Sequence, residues 1–261
     1  WGPFPSVGIS GPASATLLCH ATAGVFMLAT IIRGKVSIRL MPYSFNMRAI
    51  NDIMKVGGIG LLNSTAIAFT IVIVTGLVGR YGTEALAGYG LGSRLEIMLI
   101  PIAFGIGGVL TAAVGANFGA GKYNRARNIA WIGFAATFVA TGIIGIIATA
   151  EPSLWLDRFT TDPKVYSYGA LYLSFAALFY GLFGGGQTLY FASQGTGRML
   201  IPVIVSISRL ILVATVGMLS VKYSWDISVI FGTVGVGLAI IGVGNAANMF
   251  GPIWQQKQAV G

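Results

Sequence analysis

Apolar residues fall in seven long runs, separated by short basic or mixed-charge segments. The runs cover Pro12–Ile32, Val56–Gly79, Ala85–Phe118, Ile129–Ala150, Tyr166–Ser193, Ile201–Leu219 and Ile227–Phe250. About 20 apolar residues carry a helix across a hydrocarbon core about 30 Å thick. A closed β-barrel, the other way to span, shows short alternating segments instead. The pattern predicts an all-α, polytopic membrane helix bundle with about seven transmembrane helices. Ala85–Phe118 exceeds one crossing, so part of it lies at the interface, tilts or projects beyond the bilayer. Pro101 within that run predicts a bend.

Composition agrees. Hydrophobic residues make up 55% of 261 residues, charged ones 9%, and the mean hydropathy is +0.81. A soluble domain carries about 25% charged residues. The 38 glycines suit close helix approach, where water supplies no force between helices. The single cysteine, Cys19, excludes an intramolecular disulfide and reads as a small core residue.

The net charge of +9 is a matter of topology. Arg33, Lys35, Arg39, Arg48, Lys55, Lys122, Arg125, Arg127, Arg198 and Lys257 share one side with a single acid, Asp52. Arg80, Arg158, Lys164 and Lys222 share the other with Glu84, Glu151, Asp157, Asp162 and Asp226. The first side is cytoplasmic by the positive-inside rule. The basic excess therefore predicts no nucleic-acid partner. The linker-like stretch 34–55 separates residues 1–33, one helix, from residues 56–261, six helices. Trp1 is no initiator methionine, and the chain reads as a piece of a longer protein.

Apparent motifs dissolve on inspection. Gly115–Lys122 has Ala116 where a phosphate-binding loop needs its first glycine and is followed by Tyr123 where it needs Ser or Thr, and it reads as a glycine-capped helix end before a basic loop. Gly88, Gly90 and Gly92 lack a βαβ setting. His20 is the only histidine. Neither a metal cluster nor a hydrolytic constellation is evident, so no enzyme and no cofactor is expected.

Ionisable groups at membrane depth normally face a bundle interior or an aqueous cavity. Arg94 and Glu96 lie in the third run and Arg209 in the sixth. Glu96 can pair with Arg209 or Arg94. Such a pair is either a gate or proton-coupled carboxyl, or a structural lock between two helices, and the structural reading weighs more. In the fifth run Gly184-Gly185-Gly186 either loosens the helix or admits a close neighbour. Gln187 and Gln194, seven apart, share a helix face, with Tyr180 and Tyr190 nearby. In the second run Asn63, Ser64 and Thr65 form a polar notch, followed by Thr70 and Thr75. These are interhelical glue or a cavity lining.

Several stretches together carry a resemblance. They are Val78–Ala87, Arg94-Leu-Glu96, Pro101, Gly115–Arg127, Gly184–Gln187, Gln194–Arg198, Pro202 and Gly8–Thr16. In order and spacing the chain resembles the multidrug and toxic compound extrusion (MATE) transporters over almost its whole length. The resemblance implies two six-helix lobes, with this chain as helix six, a cytoplasmic connector and helices seven to twelve. It implies an integral membrane protein, of a bacterial inner membrane, whose amino-terminal lobe is missing. It implies antiport of organic, often cationic, compounds against H⁺ or Na⁺ by rocking lobes. Asn63, Tyr180, Gln187, Tyr190 and Gln194 would line the substrate pathway. Glu96, Arg94 and Arg209 would form an ion-coupling or structural group. In one branch of the family helices seven and ten carry acids. Here the matching positions, near Asn63 and Phe183–Gln187, carry none. The coupling carboxylate is then expected in the missing lobe. Two alternatives stand: a flippase for lipid-linked precursors, which would need an arginine-rich cavity, and a non-transporting membrane scaffold. The scaffold would seal Asn63, Gln187 and Gln194 in helix contacts.

Overall fold

A computed structural model describes residues 10–34 and 46–254. The chain divides into two compact units, residues 1–50 and residues 51–261. In the first, α1 spans Ser10–Ile32. Its side chains are largely exposed, Cys19 among them, contrary to the expectation of a core cysteine. Half of the expected connector, residues 35–45 with Lys35, Arg39 and Pro42 among them, lies outside the described residues.

α2, Met47–Val78, belongs to the second unit from Asn51 onward. It begins nine residues before the apolar run that predicts it. The second unit continues with α3 (Thr83–Gly119), α4 (Tyr123–Ala150), the single turn α5 (Ser153–Leu156) and α6 (Pro163–Ala176). α7 (Tyr180–Gly195), α8 (Leu200–Lys222) and α9 (Ile227–Asn248) complete it. Seven segments among the described residues are long and apolar enough to cross a membrane. One of them, Pro163–Gly195, joins α6 and α7 through a 3₁₀ turn at Ala177–Phe179.

Local chemistry sets the boundaries. Asp162 caps α6, its carboxylate accepting from the Lys164 amide at 2.8 Å, with Pro163 in the first turn. Asp226 caps α9 by accepting from the Ser228 amide at 2.8 Å. The long α3 ends as expected at a glycine: Gly121 has φ +72°, and the Lys122 amide donates to the Asn117 carbonyl at 2.9 Å. Pro101 sits inside α3 and has no N–H for the Ile97 carbonyl. At 37 residues α3 is about 55 Å long, more than a bilayer core needs.

The helix ends alternate as the charge pattern predicts. The Arg198 guanidinium lies 5.9 Å from the Phe118 ring, joining the α7–α8 and α3–α4 turns at one end. At the other, the Tyr81 hydroxyl donates to the Trp225 carbonyl at 2.7 Å.

α7 is the hub, packed against α3, α4 and α9. The triple glycine serves this packing. A Cβ on Gly186 would stand 2.7 Å from the Gly242 Cα of α9, while Gly184 and Gly185 face Thr141 and Phe134 of α4. The helical irregularity lies about two turns earlier, at Ala177–Phe179. Each neighbour also donates a side-chain hydrogen bond to an α7 carbonyl. Thr111 of α3 reaches Phe191 at 3.1 Å, Thr141 of α4 reaches Tyr180 at 2.9 Å, and Asn245 of α9 reaches Gly186 at 3.1 Å. In lipid these bonds hold helices that gain nothing from expelling water.

Candidate functional site

α2 stands apart from this tight seam and meets its neighbours through side chains. Leu77 covers Gly217 of α8, and the Ser206 hydroxyl of α8 donates to the Asn63 carbonyl oxygen at 2.5 Å. Between α2 and the bundle opens a cavity of about 650 Å³. It belongs wholly to the second unit.

Each wall follows from its helix. α2 presents Asn63, Ser64, Thr70 and Thr75, spaced for a single face, with Ile67, Ile71 and Val74 between them. α3 presents Tyr89, Ser93 and Glu96, again one face, at intervals of four and three. α7 contributes Gln187, Tyr190 and Gln194 beside Phe183 and Phe191. Tyr172 of α6 and Arg209 of α8 complete the polar lining.

One charged pair lies in this wall. Arg209 Nη2 is 3.8 Å from Glu96 Oε1, and the two side chains are 9% and 16% exposed. The Tyr172 hydroxyl donates to the other Glu96 oxygen at 2.6 Å. Two opposite charges and a phenol share the cost that each charge alone would carry in an apolar setting. Elsewhere the polar groups are neutral. The Tyr89 and Tyr190 side chains share the cavity lining with Thr75 and Asn63 of α2. A space of this size, mainly apolar with a few converging polar groups, suits a small organic molecule.

The sequence-expected residues divide. Asn63, Gln187, Tyr190, Gln194, Glu96 and Arg209 lie on one wall system. Tyr180 does not. It is fully buried at the start of α7, where α4 and the 3₁₀ turn close over it, and a Cβ on Gly145 would touch its Cβ at 3.1 Å. Arg94 also lies off the cavity, exposed on α3, and it is Arg209 that pairs with Glu96. Tyr89, Ser93 and Tyr172 were not anticipated. For Tyr89 and Ser93 a signal existed in their spacing from Glu96. For Tyr172 none did.

The architecture defines a class: a polytopic membrane bundle around a mainly apolar cavity with a few polar groups. The family can also be stated. The MatE family model matches residues 61–219, more than half of the chain, and the chain belongs to that family. It is 26% identical over 206 residues to a protein of Thermotoga maritima described as "Probable multidrug resistance protein NorM". That match covers 78% of this chain and 44% of the relative. The chain spans about half the length of the curated relatives it matches. Among solved structures, "Crystal structure of MATE in complex with MaL6" aligns with a TM-score of 0.86 at 16% identity, over 97% of this chain and 58% of that one. "MATE transporter ClbM in complex with Rb+" aligns with a TM-score of 0.78 at 19% identity, over 93% and 54%. At such identities the likeness is one of fold.

Proposed function

We propose that this chain forms a cargo-binding lobe of a secondary active efflux transporter in a bacterial plasma membrane. With a second six-helix lobe it would export organic, often cationic, drugs or metabolites in antiport with H⁺ or Na⁺, by alternating access. The single observation that supports this most is the 650 Å³ cavity, in which amides, hydroxyls and one ion pair from five helices converge. Amides, phenols and aromatic rings suit cargo of varied shape, because they contact many outlines without fixed geometry. The coupling carboxylate belongs to the second lobe in this reading, because Glu96 has the opposite charge of Arg209 beside it at 3.8 Å.

The alternatives fit less well. A pyrophosphate-bearing lipid calls for several guanidinium groups; the wall holds one, and it faces a carboxylate. A scaffold has no use for Asn63, Gln187 and Gln194 on one cavity.

Efflux of a fluorescent lipophilic cation from cells expressing this chain joined to its second lobe tests the reading. Gln187→Ala is expected to slow efflux several-fold at unchanged expression. Dye retention equal to that of empty cells would overturn it, as would full efflux in Gln187→Ala combined with Asn63→Ala.

A further inference from the structure

The Glu96–Arg209 pair leaves much of its bonding capacity unspent. Its closest atoms are 3.8 Å apart, beyond hydrogen-bonding distance. Glu96 commits one oxygen to Tyr172, and no described residue donates a hydrogen bond to the other. Arg209 is 8% exposed, yet none of its N–H groups meets a hydrogen-bond acceptor among the described residues. Its Nε is buried and has no hydrogen-bond partner among the described residues. A desolvated guanidinium so poorly engaged is costly until an acceptor arrives.

Both side chains line the cavity, and together they sum to no net charge. A bare cation beside Glu96 would meet the repulsion of Arg209, and a bare anion beside Arg209 that of Glu96. A molecule carrying both charges a few ångströms apart would satisfy each side with a charge-assisted bond. Ile97, Ile100, Phe104 and Phe183 supply an apolar bed for the rest of it.

We propose that the cargo of this cavity is zwitterionic, an apolar or aromatic body whose carboxylate binds Arg209 and whose ammonium binds Glu96. The inference rests on the transport reading and narrows its expected cationic cargo.

Binding to the purified full chain in detergent micelles tests it, with three forms of one fluorescent probe. A coumarin-bearing amino acid is the zwitterion, its methyl ester the cation, and its N-acetyl derivative the anion. The zwitterion is expected to bind about tenfold more tightly than either. Arg209→Gln should erase its advantage over the ester, and Glu96→Gln its advantage over the N-acetyl form. An ester that binds wild-type protein as tightly as the zwitterion overturns the proposal. So does failure of all three to bind, or an unchanged ranking in folded Arg209→Gln. If the variants do not fold, the wild-type ranking decides. Cation efflux that depends on Gln187, without the zwitterion preference, would discard this inference and keep transport.

Discussion

Two regions of the second unit use the same kinds of residue to opposite effect. On one side of α7, glycines and hydroxyls build a dry seam with α4 and α9. Gly186 meets Gly242, and Thr188 donates to Thr137 at 2.9 Å, with both threonines fully buried. On its other side, Gln187 and Gln194 face the cavity that α2 leaves open. Backbone approach decides the outcome. Where small residues let two helices touch, a polar side chain finds a fixed partner; where bulkier α2 stands away, it is left for a ligand.

The seam should be the less forgiving region. Gly186→Val places a side chain against the Gly242 backbone, which cannot yield as a side-chain end can. Overpacking of this kind costs about 3 kcal/mol. Loss of the folded peak on size exclusion in detergent, or a fall in thermal midpoint larger than for any variant below, is expected. Wild-type behaviour would mean that α7 and α9 are not in contact as described.

The ion pair is intermediate. Arg209→Ala strands Glu96 beside Tyr172 in a mostly apolar wall. Breaking fully buried pairs costs about 3–5 kcal/mol. Access to the cavity reduces that, and about 2 kcal/mol is expected, read by thermal unfolding. Glu96→Gln together with Arg209→Ala should recover part of the loss, because no charge then remains unpaired. A double variant worse than the sum would reverse the sign assigned to the pair.

Thr141→Val removes a buried hydroxyl that bonds the Tyr180 carbonyl at 2.9 Å where α7 begins. Interhelical hydrogen bonds in membranes average about 0.6 kcal/mol. The expected effect is a small drop in midpoint, well below that of Gly186→Val. A larger one would show that the bond fixes the α6–α7 break.

How much of this could be read beforehand follows from the same physics. The spans were legible because a helix in lipid must be apolar for about 20 residues. The alternation of helix ends was legible because charge collects in the segments between the apolar runs. Asn63, Gln187 and Gln194 stood out because an amide is rare among apolar neighbours and seven residues return to one face. Pairings across helices were hidden. A lipid-facing helix is apolar on its outer surface as well as its inner one, so periodicity says little about which side faces inward. Tyr172 therefore looked like any aromatic, and Ser206 gave no hint that it holds Asn63. Tyr180 misled for a related reason. It lies seven residues before Gln187, yet it opens α7 at the 3₁₀ turn, where packing against α4 takes it from the cavity face.

The smallest expected effect makes the sharpest contrast. Gln187 is half-buried on the cavity wall and has no hydrogen bond to another described residue. Gln187→Ala leaves no buried partner unsatisfied and fills no contact surface. Its stability cost should lie within about 0.5 kcal/mol, as for surface substitutions. Binding or efflux should nonetheless fall several-fold, because the amide is one of the few groups on α7 that can orient a ligand. Thr141→Val should do the reverse, lowering stability slightly and leaving ligand affinity unchanged. Measuring thermal midpoint and probe affinity on the same two preparations separates a seam residue from a wall residue. If both variants moved both quantities together, seam and cavity would be one cooperative unit, and the division between holding and binding drawn along α7 would fail.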